Sequence, residues 1–143
     1  MAAQTLSRRD ILLLGGTAVA ALAIPLSLTQ FAHEDAAQIE ASILSLLSDQ
    51  PGAAEIGQLW RDKTNSSADA KAVAGRIAKR LRAFGWRPGA NAEAAHKALA
   101  ARVRRDFVEG DMIEIEGWQL SRTSAELCLL ASLHLDPKSQ THA

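Results

Sequence analysis

Few residues in this chain are of a type and spacing that could do chemistry. The histidines are His33, His96, His134 and His142. No two of them stand three or four residues apart, so none forms the ligand pair that a helical metal site needs. The single cysteine, Cys128, excludes an internal disulfide and lies in the apolar stretch Leu127-Cys128-Leu129-Leu130, where burial is expected and pairing with another chain is the alternative. As a nucleophile it would need a base, but His134 is six residues on and faces another side of a helix. The glycine pair Gly15-Gly16 falls in an N-terminal apolar run and makes no phosphate-cradling loop. No nucleophile elbow occurs. Asp106, Glu109 and Asp111 could act as paired carboxylates in acid–base work. At a helix end beside a turn, the expectation is solvated surface. The residues therefore point to no catalytic, cofactor-binding or metal site in this chain.

Charge is balanced overall and uneven locally. Lys and Arg number 16, as do Asp and Glu. A neutral total gives no bias toward nucleic acid, so no nucleic-acid partner is expected. Between residues 75 and 105 stand Arg76, Lys79, Arg80, Arg82, Arg87, Lys97, Arg102, Arg104 and Arg105, against Glu93 alone. Acidic residues gather on both sides, among them Asp49, Glu55, Asp62 and Asp69 before, and Asp106, Glu109, Asp111, Glu114, Glu116 and Glu126 after. The simplest outcome is that the basic middle pairs with its own flanks in the fold. The alternative is a basic face for an acidic partner.

The elements that would position these residues are mainly helices. Ile39, Ile43, Leu46 and Leu47 recur at helical spacing and predict a helix over 35–47, stopped by Gln50-Pro51-Gly52. Ile56, Leu59 and Trp60 mark a short helix over 53–63. The loop Asn65-Ser66-Ser67 ends in a candidate N-cap. Val73, Ile77, Leu81 and Phe84 form the next stripe, closed by Gly85. Trp86-Arg87-Pro88-Gly89 reads as a turn and Asn91 as a cap. Leu99, Val103 and Phe107 make the stripe of a helix over 92–108. The period then changes. Met112-Ile113-Glu114-Ile115-Glu116 alternates as a strand does, Glu116-Gly117 is a two-residue turn, and Trp118-Gln119-Leu120 returns. Thr123-Ser124-Ala125-Glu126 fits a capping box, opening a last helix over 124–134 that ends at Asp136-Pro137. The expected fold is mostly α: a small domain of about five helices with one short β-hairpin. Two strands alone are marginal, so the hairpin must lean on helices or on a partner. With no tyrosine present, the three tryptophans are most of the large polar-tipped surface available for contacts.

The first 32 residues read differently. Leu6-Ser7-Arg8-Arg9-Asp10 is followed by an uncharged, mostly apolar run from Ile11 to Leu28. That run is about 14 to 18 residues long, short of the roughly 20 a spanning helix needs. A basic region followed by a modest apolar core is the order of an export signal. Ser7-Arg8-Arg9-Asp10-Ile11-Leu12 resembles the twin-arginine motif Ser-Arg-Arg-x-Phe-Leu-Lys, with Ile11 in place of Phe and Leu13 in place of Lys. The resemblance implies delivery of a folded protein by the twin-arginine translocase to the bacterial periplasm, or to the periplasmic face of the inner membrane. An ordinary signal or an anchor that carries Arg-Arg is the alternative. Ala21-Leu22-Ala23 lies inside the apolar core. Ser27-Leu28-Thr29 is the best remaining cleavage site, so removal of the signal and its retention as an anchor both stay open. The expected division is a signal or anchor segment over 1–32 and one small helical domain over 33–143.

The stretch Gly117-Trp118-Gln119-Leu120-Ser121-Arg122-Thr123-Ser124-Ala125-Glu126-Leu127-Cys128 combines a turn glycine, an amphipathic anchor and an apolar helix. It resembles the Gly-Trp-x-Leu-Ser-x-Thr-Glu-Ala-x-Leu-Cys pattern in small subunits of bacterial membrane-associated FAD-dependent sugar and polyol dehydrogenases, of the sorbitol, fructose or gluconate type. Ser124-Ala125-Glu126 departs from it by placing the acidic residue two positions later. Val103-Arg104-Arg105-Asp106-Phe107-Val108-Glu109-Gly110 and the twin-arginine start are also similar to that family. The resemblance covers the signal and about the last 45 residues. It implies a non-catalytic partner of a large FAD-binding subunit, which oxidises the substrate and rides out folded on the small subunit's signal, often with a cytochrome c subunit as electron acceptor. FAD would then belong to the large subunit and no cofactor to this chain. Trp118, Leu120 and Arg122 are the candidate interface residues. The other readings are an exported, membrane-tethered helical binding module without a dehydrogenase partner, and a free-standing exported enzyme.

Overall fold

The computed structural model describes residues 35–136. The chain order is α1 (Ala36–Leu44), α2 (Gln50–Thr64), α3 (Ala70–Arg82), α4 (Ala92–Glu109), β1 (Met112–Ile115), β2 (Trp118–Ser121) and α5 (Arg122–Leu135). This is the mostly helical domain with one hairpin that the periodicity predicts.

Each helix starts on a side-chain oxygen that accepts an otherwise orphaned N–H. Asp35 caps α1 through Ala37, Asp49 caps α2 through Gly52, Asp69 caps α3 through Ala72, and Asn91 caps α4 through Ala94. Several boundaries depart from the sequence expectation for this reason. Pro51 does not stop the first helix. It sits in the first turn of α2, where its missing N–H costs nothing. Helix α1 instead ends at Leu44, and tight bonds from Leu46 N to Ile43 O and Leu47 N to Leu44 O finish the turn. Asp69 rather than Ser67 caps α3. The expected capping box at Thr123 does not form, because Ser121 starts α5 two residues earlier by accepting from Ser124 N at 3.0 Å.

Helix α5 is the axis of the domain. Its residues from Ala125 to Leu133 are all buried, and α2 makes its broadest contact. The approach is close. A Cβ on Gly57 of α2 would stand 2.0 Å from the Cys128 carbonyl oxygen and 2.9 Å from Leu129 N. Ile43, Leu44 and Leu46 from the α1 region, Val73, Ile77 and Leu81 of α3, and Ala95 and Ala98 of α4 complete the core around Leu127, Leu130 and Leu133. Trp86, expected as contact surface, is 1% exposed and belongs to this core. Phe107, expected in the apolar stripe of α4, is 56% exposed. The inward face of that helix runs through Ala95, Ala98 and Asp106, one residue round from Phe107.

The hairpin pairs Met112 with Ser121, Ile113 with Leu120, Glu114 with Gln119 and Ile115 with Trp118. Directly opposed residues share a face. Ile113, Ile115, Trp118 and Leu120 therefore make one apolar side, and Met112, Glu114, Gln119 and Ser121 the other. Glu116 (φ 49°) and Gly117 (φ 81°) are both left-handed, the type I′ geometry that matches the strands' twist.

Candidate functional site

Two surfaces around the hairpin carry what character the domain has. The first is apolar. Ile56 and Leu59 lie one turn apart on α2, and the apolar side of the hairpin stands beside them. Together with Ile115, Trp118 and Leu120 they line a groove of about 410 Å³. Ile115 is buried at its inner end, while Trp118 is 75% exposed and Leu59 45% exposed. Trp118 is therefore no part of this domain's own core. The short β2 strand presents it, and the I′ turn immediately before fixes its direction. Of the three candidate interface residues, Trp118 and Leu120 come together in this groove. Arg122 does not. It turns to the base of the hairpin, where its Nε donates to Asp111 Oδ1 at 2.6 Å and its backbone N–H to Asp111 O at 2.9 Å.

The second surface is a network of charges between α3, α4 and α5. Its centre is Asp106, which is fully buried. Oδ1 accepts from Arg102 Nε at 2.9 Å, from Arg102 Nη2, and from Arg80 Nη1 at 3.4 Å. Oδ2 accepts from Thr123 N at 2.9 Å, in the first turn of α5. Burial alone would raise the Asp106 carboxyl pKa. The hydrogen bonds from Thr123 and Arg102 outweigh burial and hold it below its ordinary value. Asp106 is thus a fixed anion that ties Arg102 to the start of a neighbouring helix. Arg102 also lies over the Phe84 ring at 5.7 Å.

The rest of the network pairs the basic middle of the chain with its acidic flanks. Arg80 Nη1 reaches Asp111 at 3.1 Å, Arg102 reaches Glu109 at 3.1 Å, and Arg105 reaches Glu109 at 2.7 Å. Arg76 Nε donates to Glu126 Oε1 at 3.2 Å, and Arg80 Nε faces Glu126 Oε2 at 3.7 Å. The hydrogen bond from Arg122 lowers the Asp111 pKa most, and that from Arg105 the Glu109 pKa. The three carboxylates expected on the solvated surface therefore divide. Glu109 is exposed, Asp111 is half-buried, and Asp106 is inside. The available signal was Arg102-Arg105-Asp106-Glu109, whose i,i+4 spacings join Arg102 to Asp106 and Arg105 to Glu109 on adjacent faces. Glu126, one of the acidic flank residues expected to pair with the basic middle, does so with Arg76 and Arg80. It sits one turn beyond Arg122 on the side of α5 that meets α3.

Cys128 is buried in the core, and desolvation raises its thiol pKa. His134 Nδ1 lies 3.0 Å from Glu40 Oε1. Among the described residues, no three His, Cys, Asp or Glu side chains are grouped to hold a metal ion, and no helix is long and apolar enough to cross a membrane. Ser7, Arg8, Arg9, Ile11 and Leu12, with the whole of the expected signal, lie outside the described residues.

Comparisons with protein-family models, with curated proteins and with solved structures return no match to this chain.

Proposed function

We propose that this chain is a non-catalytic small subunit of a bacterial FAD-dependent sugar or polyol dehydrogenase complex, carrying a twin-arginine signal for the large subunit and stabilising it. The observation that carries the reading is the pairing of an exposed tryptophan with an apolar groove, at the start of the stretch that resembles such subunits. Trp118 is 75% exposed and stands beside Ile56, Leu59 and Leu120. An exposed apolar cluster of this kind is a feature of interaction surfaces. Tryptophan is also prominent among residues that anchor protein interfaces. The large subunit would bind FAD and oxidise the substrate, and a cytochrome c subunit would take the electrons.

Affinity purification of the full-length chain from the periplasm tests this, with mass spectrometry and a flavin absorbance scan of the eluate. The expected result is a stoichiometric large flavoprotein that has no export signal of its own. Recovery of the chain without such a protein would overturn the proposal.

A further inference from the structure

A cleft of about 460 Å³ opens between α2, the loop after it, α3 and α5. Trp60 and Thr64 of α2, Ser66 of the loop, Arg76 and Arg80 of α3, and Arg122 and Glu126 of α5 line it. Three guanidinium groups thus meet one carboxylate in the lining. The wider network leaves a surplus too, because Arg76, Arg80, Arg102, Arg105 and Arg122 are paired among only four carboxylates: Asp106, Glu109, Asp111 and Glu126.

The way these arginines are held matters more than their number. Glu126 accepts from Arg76 through Nε, and Asp111 accepts from Arg122 through Nε. In both, the Nε edge is fixed and the two Nη nitrogens make no hydrogen bond. Glu126, with only 6% of its side chain exposed, holds Arg76 through Oε1, while its buried Oε2 accepts no hydrogen bond. Pre-positioned guanidinium forks with free Nη–H groups are the donors that recognise a carboxylate or phosphate in two-point fashion. Holding them in place beforehand removes much of the ordering cost of binding. Ser66 adds a hydroxyl along the same wall, while the Thr64 hydroxyl donates to Trp60 O at 2.8 Å.

We propose that this cleft binds a small oxyanion, the phosphate or carboxylate group of a low-molecular-weight ligand, on the free Nη groups of Arg76 and Arg122. The site is separate from the groove at Trp118, and its existence does not depend on the dehydrogenase reading.

The test uses the full chain, titrated calorimetrically with inorganic phosphate and, separately, with acetate, at ionic strength held constant with sodium chloride. The two arms distinguish tetrahedral from planar oxyanions. Saturable one-to-one binding of at least one of them is expected. Ser66→Asp places a negative charge in the cleft from an exposed loop position and leaves every ion pair of the network intact. It should weaken binding by about tenfold or more, with circular dichroism and melting temperature unchanged. Arg76→Lys keeps the charge and loses the fork, and should weaken binding by a similar factor. Arg105→Gln removes the same charge as a neutral Arg76 variant would, but away from the lining, and should change affinity by less than about twofold. Absence of saturable binding to both anions in the wild-type chain would overturn the proposal. Equal losses in Ser66→Asp and Arg105→Gln would overturn it as well, since only a diffuse field would then be at work.

Discussion

Removing the buried Asp106 carboxylate would leave the half-buried Arg102 with only Glu109 and Thr123 N without an acceptor. Breaking a buried pair by deleting one member costs about 3–5 kcal/mol. Asp106→Ala should lose stability of that order in urea unfolding at neutral pH. A loss below about 1 kcal/mol would show that the network relaxes around the gap. The pH dependence follows from the direction of the shifts. Asp106 and Asp111 have folded-state pKa values below their ordinary ones. Their ionisation therefore stabilises the fold above the unfolded pKa, near 4, and that stability is lost as the pH falls through the lower folded values. Wild-type stability should drop as the pH falls below about 4, and Asp106→Asn should drop less steeply. Trp118 is the opposite case. Because it is exposed, Trp118→Ala should change folding stability by less than about 0.5 kcal/mol. If the groove holds a partner, the same change should weaken the complex about 30-fold, the scale of an interface anchor. Unchanged affinity would remove Trp118 from the interface.

At the scale of elements, the alternation of apolar and polar residues was enough to find every helix and both strands among the described residues. Their ends were less legible. Caps are decided by which of several nearby oxygens reaches the first turn, and Asp49, Asp69 and Ser121 compete with Ser67 and Thr123 on equal chemical terms. The rotation of α4 was hidden for another reason. Its inward side carries Asp106, and a buried carboxylate cannot be told from a surface one until its donors on α3 and α5 are known. The contact of α2 with α5 was equally invisible, since Gly57 reads only as a weak helix residue. Its role is spatial. Gly57→Ala would drive a methyl group into the Cys128 carbonyl, which is backbone and cannot turn aside. The two helices would have to separate, at a cost of about 1–3 kcal/mol. Gly75 of α3 is the control, because a Cβ there meets nothing within 4 Å. Gly75→Ala should raise stability by about 0.5–1 kcal/mol through helix propensity alone. Thermal melts of the two variants, run together, should move in opposite directions. An unchanged or higher melting temperature for Gly57→Ala would show that Gly57 does not set the helix separation.

At the scale of the whole molecule, the described domain and the N-terminal segment divide the proposed work. The domain offers a surface and no nucleotide-binding loop. The segment around Arg8 and Arg9 resembles an address that admits folded cargo. A flavoprotein acquires FAD where it folds, so a large subunit without its own signal can reach the periplasm only if it is already docked when the address is read. That couples two observables which are otherwise independent: the location of this chain and the location of its partner. Arg8→Lys with Arg9→Lys keeps the positive charge of the segment and alters only the guanidinium pair. An ordinary signal, read through charge and apolarity, should tolerate the change. A twin-arginine signal should not, and both this chain and the flavoprotein activity should then be retained in the cytoplasm on fractionation. Adding Trp118→Ala to an otherwise intact chain separates address from attachment: this chain should still be exported, while less of the partner accompanies it. Normal arrival of partner activity in the periplasm with the doubly substituted signal would reject carriage by this chain, whatever the groove at Trp118 binds.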